Sequence, residues 1–434
     1  MPSNYLQEVK TGFNETTLKG LLELVPEAGP NLKARGAELA GKTIIHVNAT
    51  PTGGGVAELL KSQIPIEREL GLDSVWLALR AEPDFFVITK KIHNLLQGGA
   101  DQLQENEKER YEAVNRELAS SLSGFLEEKA GLDGVLVIHD PQPLATLSHL
   151  PKAPHLKTLL RLHIDLSNPH PDTLDFLKPH INRYRRVIMS SKRYLPSFPW
   201  LDDAKVDIIQ PAINPLSPKN TAMAPQEAKV ILERFGLDTE RPIMSQVSRF
   251  DPWKGPLGVV EAFCLAKRKI PDLQLALVGF MTAKDDPEAE TVLRQVQKAV
   301  GDEADVFLFH DPGQLGETAN DEFVNAVFTA SDVIVQNSNR EGFGLTMTEA
   351  MWHARPLIAR ISAGSKLQVT DGENGLLVTN PQQIADHVVT LLSNPERAVK
   401  LGEAARESVR SKFLLSHYLS GCLKSYSQTL HDGK

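Results

Sequence analysis

Only two cysteines, Cys264 and Cys422, occur in 434 residues. They lie far apart inside helical patterns, and two thiols cannot build a zinc site or a disulfide scaffold, so both read as buried free thiols in a reducing compartment. No run of about 18 apolar residues occurs, and the N-terminus Met1-Pro2-Ser3-Asn4-Tyr5-Leu6-Gln7-Glu8 lacks the basic and apolar regions of a signal peptide. The expectation is a cytoplasmic protein with no membrane partner. Positive charge is not in excess either. With 47 basic against 55 acidic side chains the net charge is −8, which argues against nucleic acid or an anionic membrane as the main partner. Any anion must be bound by a local site.

Hydrophobic residues make up 41% and charged residues 24%, a globular balance, and 434 residues exceed what one core usually supports. Strand and helix patterns alternate through both halves. Lys42–Asn48, Asp73–Leu79, Gly134–His139, Leu159–Asp165, Arg186–Ser190 and Val206–Ala212 read as strands of the first half; residues 103 to 130 read as a long helix and 85 to 98 as an irregular segment. A Pro-rich crossing, Pro211, Pro215, Pro218 and Pro225, marks the boundary. Strands at Ile243–Ser248, Leu273–Val278, Val306–Phe309, Asp332–Gln336 and Leu357–Ile361 follow, then helices over 382–393 and 396–411. A last helix, about 416–430, is expected to cross back. The prediction is α/β: two doubly wound Rossmann-like domains facing a cleft, one of residues 1–213 with the terminal helix 416–434, the other of 214–415.

The chain is organised around Asn337-Ser338-Asn339-Arg340-Glu341-Gly342-Phe343-Gly344-Leu345-Thr346-Met347-Thr348-Glu349-Ala350-Met351, a junction between a buried strand and a helix. Unpaired N–H groups and the positive helix end favour an anion there. Gly342 and Gly344 allow close backbone approach, Thr346 can cap the helix, and Glu341 and Glu349 flank the helix start. Two carboxylates around an anion site suit a ligand with phosphates in the middle and hydroxyls at both ends. A nucleotide sugar has that layout. The bland alternative, an ordinary junction with solvated glutamates, stands for the motif taken alone.

Two further loops carry chemistry. Arg249 and Lys254, five apart in Ser248-Arg249-Phe250-Asp251-Pro252-Trp253-Lys254-Gly255, can converge on one diphosphate, or can pair with surface carboxylates instead. Gly53-Gly54-Gly55 after the first strand again offers N–H groups to an anion, without the lysine of a Walker loop. Strands ending in His139-Asp140-Pro141-Gln142-Pro143 and His163-Ile164-Asp165 place polar groups at carboxyl ends, where open parallel sheets bind ligands. No third His or Cys completes a metal set.

Taken together, the glutamate stretch resembles the Glu-x7-Glu signature of retaining glycosyltransferases of the GT-B fold, group 1 (family 4), and the Arg249/Lys254 loop resembles their diphosphate clamp. Within that group the resemblance is to the trehalose-synthase and trehalose-phosphorylase branch. It rests on His46-Val47-Asn48-Ala49-Thr50, Gly53-Gly54-Gly55-Val56-Ala57-Glu58, Lys91-Ile92-His93-Asn94-Leu95-Leu96-Gln97-Gly98, His139-Asp140-Pro141-Gln142-Pro143 and Leu162-His163-Ile164-Asp165-Leu166-Ser167. One departure is the turn Ala363-Gly364-Ser365-Lys366-Leu367-Gln368, where family members usually carry a Gly-Gly-Ile type. The resemblance implies glucose transfer from a nucleoside-diphosphate glucose to glucose, with no bound cofactor and no metal. Arg249, Lys254, Glu341 and His163 take catalytic roles by this likeness. Gly54, Gly55, Gly342, Phe343, Gly344, Leu345, Thr346 and Glu349 hold the donor, with Glu341 on its sugar and Glu349 on its ribose. Asp140, Gln142 and Asp165 hold the other sugar. Partners are small-molecule sugars, with a homodimer left open. The rivals are a phosphorylase, a transferase with another small acceptor, and a sugar-nucleotide sensor.

Overall fold

The computed structural model describes residues 5–11, 17–52, 54–129, 131–150, 156–280 and 289–431. The chain forms two compact units, Met1–Asn214 with Leu415–Lys434, and Pro215–Leu414. In the first, the elements run β1 (Leu6–Glu8), α1 (Leu18–Leu24), α2 (Gly29–Glu38), β2 (Thr43–Asn48), α3 (Gly55–Glu69), β3 (Asp73–Leu79), α4 (Pro83–Leu96) and α5 (Glu105–Glu128). They continue through β4 (Gly134–His139), α6 (Thr146–His149), β5 (Lys157–Arg161), α7 (Pro171–Ile181), β6 (Arg186–Met189) and β7 (Val206–Ile208). The second unit holds α8 (Pro225–Arg234), β8 (Ile243–Val247), α9 (Pro256–Lys267), β9 (Gln274–Val278), α10 (Ala289–Val300), β10 (Val306–Phe309), α11 (Asn320–Ala330) and β11 (Val333–Gln336). It closes with α12 (Leu345–Trp352), β12 (Leu357–Arg360), α13 (Ser365–Gln368), β13 (Leu376–Val378), α14 (Pro381–Leu392) and α15 (Pro395–Lys412), after which α16 (Leu415–His431) rejoins the first.

Strands buried on both faces read as near-continuous apolar runs, and β2, β4, β8, β9 and β11 are buried along their whole length. The first sheet is ordered β1-β3-β2-β4-β5-β6-β7 and the second β10-β9-β8-β11-β12-β13. All pairings among β2 to β7 and β8 to β13 are parallel, and only β1 runs antiparallel, against β3. Both halves are therefore doubly wound, as the alternation predicts. The strand order reverses between β2 and β4 in one sheet and between β8 and β11 in the other, and ligands of such sheets bind outside the carboxyl ends of the strands at that reversal.

Several expectations need correction. Residues 83–96, read partly as irregular, form α4: Phe85, Ile88, Thr89, Ile92, Leu95 and Leu96 recur every three or four residues and are buried. Packing of that stripe outweighs the poor helix propensity of its β-branched and aromatic members. Strand β5 ends at Arg161, so His163 and Asp165 lie in the following loop. Leu6–Glu8 adds a short strand ahead of the first strand read from the sequence. Cys264 is exposed on α9, and only Cys422 is buried. Among the described residues no helix is long and apolar enough to cross a membrane.

Candidate active site

In the second unit the loops after β8 and β11 are stitched to each other. Gln246 on β8 takes the Asn337 N–H on its Oε1 at 3.3 Å and donates from Nε2 to the Lys254 carbonyl at 3.2 Å. Asn337 donates from Nδ2 to the Gly255 carbonyl at 2.8 Å, and the Asn339 N–H meets the Trp253 carbonyl at 2.7 Å. Gly255 has φ +59°, and a Cβ there would stand 2.6 Å from the Asn337 oxygen, so the contact demands glycine. Arg340 lies over the Trp253 ring at 4.4 Å, a cation–π contact that adds to the seam. The result is that Lys254 reaches Glu341 and pairs with it. Arg249, further out and 43% exposed, lies 3.7 Å from Asp251.

Helix α12 begins from Gly344, at φ +85°, with no side-chain cap. Thr346 therefore sits within the first turn and is not the cap; Gly344 holds that place because a left-handed residue is needed there. Leu345 is the first helical residue. Phe343 turns inward, buried, with its ring 5.4 Å from that of Phe413, while Gly342 occupies the loop before it. Glu349 is also buried on α12 and pairs with Lys219 at 2.8 Å. Lys219 is a residue that sequence reasoning did not single out. The turn Ala363-Gly364-Ser365-Lys366-Leu367-Gln368 props this loop: the Gly364 N–H donates to the Glu341 carbonyl at 2.7 Å, and Gln368 Nε2 to the Phe343 carbonyl at 2.6 Å.

In the first unit the equivalent strand ends are those of β2 and β4. Gly54 precedes α3 with φ +83° and Gly55 opens the helix; Gly53 lies outside the described residues. Asp140, directly after β4, adopts φ +62° and accepts the His163 backbone N–H on Oδ1 at 2.7 Å. Burial pushes its carboxyl up to about 7, against the pull of that N–H and of Arg161. His163 lies 3.0 Å, Nε2 to Nδ1, from His139, and burial with the nearby Arg161 cation pushes both imidazoles well below 6.5. Asp140 and His163 are thus brought together. Gln142 is half-buried, its Oε1 making no hydrogen bond among the described residues and its carbonyl accepting from Asn115 at 3.2 Å. Asp165 instead folds onto its own loop, accepting from the Ser167 N–H at 2.9 Å and hydroxyl at 2.6 Å. Both contacts fall on Oδ1.

Comparison with known proteins fits both halves. The model for the trehalose synthase N-terminal domain matches residues 46–196, and that for group 1 glycosyl transferases matches residues 228–408. A trehalose synthase of Pyrococcus horikoshii is 41% identical over 389 residues, spanning 89% of this chain and 90% of the relative. One of Thermococcus litoralis is 38% identical over 412 residues, spanning 94% and 96%. A solved structure described as trehalose-6-phosphate from E. coli bound with UDP-2-fluoro glucose shares the fold. Its TM-score is 0.71 at 14% identity, covering 89% of this chain and 99% of that one. The chain belongs to the trehalose synthase family of the group 1 glycosyltransferases and is an enzyme of trehalose-related glycosyl transfer.

Proposed function

We propose that the enzyme moves glucose, with retention at the anomeric carbon, from a nucleoside-diphosphate glucose to free glucose and so makes trehalose. The observation that carries this reading is the Lys254–Glu341 pair at the strand reversal between β8 and β11, beside the start of α12. A cation and a carboxylate held together there are placed to separate onto the two ends of one ligand. Lys254 goes to the diphosphate, and Glu341 to the sugar hydroxyls. As the glycosidic C–O bond breaks, negative charge grows on the diphosphate and positive charge on the ring. Lys254, Arg249 and the first N–H groups of α12 stabilise the leaving group, and Glu341 offsets the charge on the ring. Glu349 leaves Lys219 for the ribose hydroxyls, while Gly342 and Gly344 let the phosphates close on the backbone. In the first unit, Asp140 and His163 position hexose hydroxyls, with Gln142 supporting them. Relatives named trehalose synthase support trehalose as the product.

The test mixes the purified protein with glucose and, in separate tubes, UDP-glucose, ADP-glucose, GDP-glucose and glucose 1-phosphate, and follows disaccharide by NMR. An α,α-linked product from a nucleotide donor is expected, and the productive tube names the base. Product from glucose 1-phosphate alone would replace this reading with a phosphorylase. Nucleotide binding without product would shift the search to another acceptor.

A further inference from the structure

Behind His163 runs a continuous chain of buried side chains that the proposed reaction does not use. His163 Nε2 lies 3.0 Å from His139 Nδ1, His139 Nε2 lies 3.0 Å from His46 Nδ1, and His46 Nε2 lies 3.2 Å from Glu67 Oε2. Successive ring centroids are 5.3 Å apart. His46, His139 and Glu67 are buried, and β2, β4 and α3 each contribute one of them. Glu67 is held from four directions: by His46, by Ser74 Oγ at 2.7 Å, by Gln63 Nε2 at 2.6 Å and by the Tyr426 hydroxyl at 3.2 Å. His163 Nδ1 makes no hydrogen bond among the described residues.

A neutral imidazole has one N–H and one lone pair, so in a chain of this kind the first bond sets the sense of all the others. An ionised carboxylate only accepts. If Glu67 accepts from His46 Nε2–H, then His46 Nδ1 must accept from His139 Nε2–H, and His139 Nδ1 from His163 Nε2–H. The last free group is a lone pair on His163 Nδ1. The surroundings favour this sense. Ser74 Oγ, Gln63 Nε2 and the Tyr426 hydroxyl all donate to Glu67, which fits an ionised carboxylate that accepts from His46 as well. His139 and His163 are both held neutral by burial and by the nearby Arg161 cation. The other ionisable groups packed against the network are Tyr418, Tyr426 and Cys422 of α16, all kept uncharged by burial, and Asp140 beside His163.

We propose that Glu67 is a remote positioning residue for glycosyl transfer: through His46 and His139 it fixes the tautomer of His163, so that Nδ1 is presented to a sugar hydroxyl as an acceptor. The proposal rests on the reading of His163 as a hexose-binding group. Its direct measurement does not need that reading. In ¹⁵N-labelled protein, with the His163 signals assigned by their loss in His163→Ala, Nδ1 is expected to be unprotonated and Nε2 protonated at neutral pH. The reverse assignment in the unmodified protein overturns the proposal, whether or not trehalose is the product.

Kinetics supply the second arm, with any donor and acceptor pair that reacts. Glu67→Met removes the acceptor while keeping an unbranched chain of similar length. It is expected to mix the two His163 tautomers and to lower kcat/KM by about tenfold or more, the size of effect typical of a residue that orients a site group. In the His163→Ala background the same change is expected to cost less than about twofold, because residues that act through one another do not add. Losses that multiply in the double variant overturn the proposal. Glu67→Gln is the conservative rescue. It keeps an acceptor oxygen for His46, and Gln63, whose Oε1 has no partner among the described residues, can turn its amide to accept the new N–H. Its kcat/KM should stay within about threefold of the unmodified enzyme with the His163 tautomer unchanged.

Discussion

Lys254 and Glu341 touch each other at the junction of two loops. Lys254→Ala is expected to lower turnover at least about tenfold with saturating donor, the scale of losing one preorganised donor to a developing anion. An unchanged initial rate would remove Lys254 from the reaction. Asp140 offers a test of a different kind. Its carboxyl, raised to about 7 by burial, is ionised above that pH and neutral below it. If the ionised form accepts a hexose hydroxyl, kcat/KM rises with pH through about 7 and levels above it, because each lost proton restores the acceptor. Asp140→Asn should give a lower, flat profile over that range, and persistence of the limb would assign it to another group. At this scale the sequence indicated which residue types gather at the strand ends. It did not show that Glu349 meets Lys219, or that Asp165 closes a turn with Ser167.

The loop–helix element Glu341–Trp352 depends on contacts with a turn more than twenty residues later. Gly364 has ordinary helical backbone, so only space decides what fits there. A Cβ at that position would stand 2.5 Å from the Phe343 oxygen and 2.9 Å from that of Glu341. Gly364→Ala should therefore push the loop off its place, lowering stability by about 1–3 kcal/mol, as overpacking commonly does, and weakening nucleotide binding. Urea unfolding and a binding titration read the two effects, and an unchanged midpoint would mean that the turn yields freely. The departure of this turn from its usual family form is thus a structural support in direct contact with the proposed donor loop. At the same scale, β5 stops at Arg161 even though alternation continues to Asp165, because the Leu162 N–H makes the last pairing, with the Ile188 carbonyl.

At the scale of the chain, α16 belongs to the first unit though it follows the second in sequence. It buries Tyr418, Leu419, Cys422, Leu423 and Tyr426, sets Tyr418 5.6 Å from the Arg161 guanidinium, and gives Glu67 its tyrosine donor. Full burial of large apolar side chains contributes roughly 1.5–3 kcal/mol each, so four of them approach the whole net stability of a typical domain. A chain ending at Leu414 is expected to lose the cooperative thermal transition of the first unit while keeping that of the second. Calorimetry showing both transitions intact would refute this account of α16.

Periodicity and composition determined the alternation of strands and helices, the doubly wound halves, the strand-end loops and the glutamate pair, because each is written in local patterns of burial, glycine and charge. The resemblance carried by those loops supplied the family. Tertiary structure decided the rest. It made α4 a helix against its propensities, since a buried stripe outweighs local preference. It joined residues that no spacing connects: Lys254 with Glu341, Lys219 with Glu349, and His163 through two histidines to Glu67. Within α3, Glu67 stands on a buried face whose one other polar member is Gln63, a turn earlier. Only the folding of β2, β3 and α16 beside that helix gives the carboxylate His46, Ser74 and Tyr426, and only β4 carries the chain on from His46 to His163, because hydrogen bonds form between neighbours in space, not neighbours in sequence.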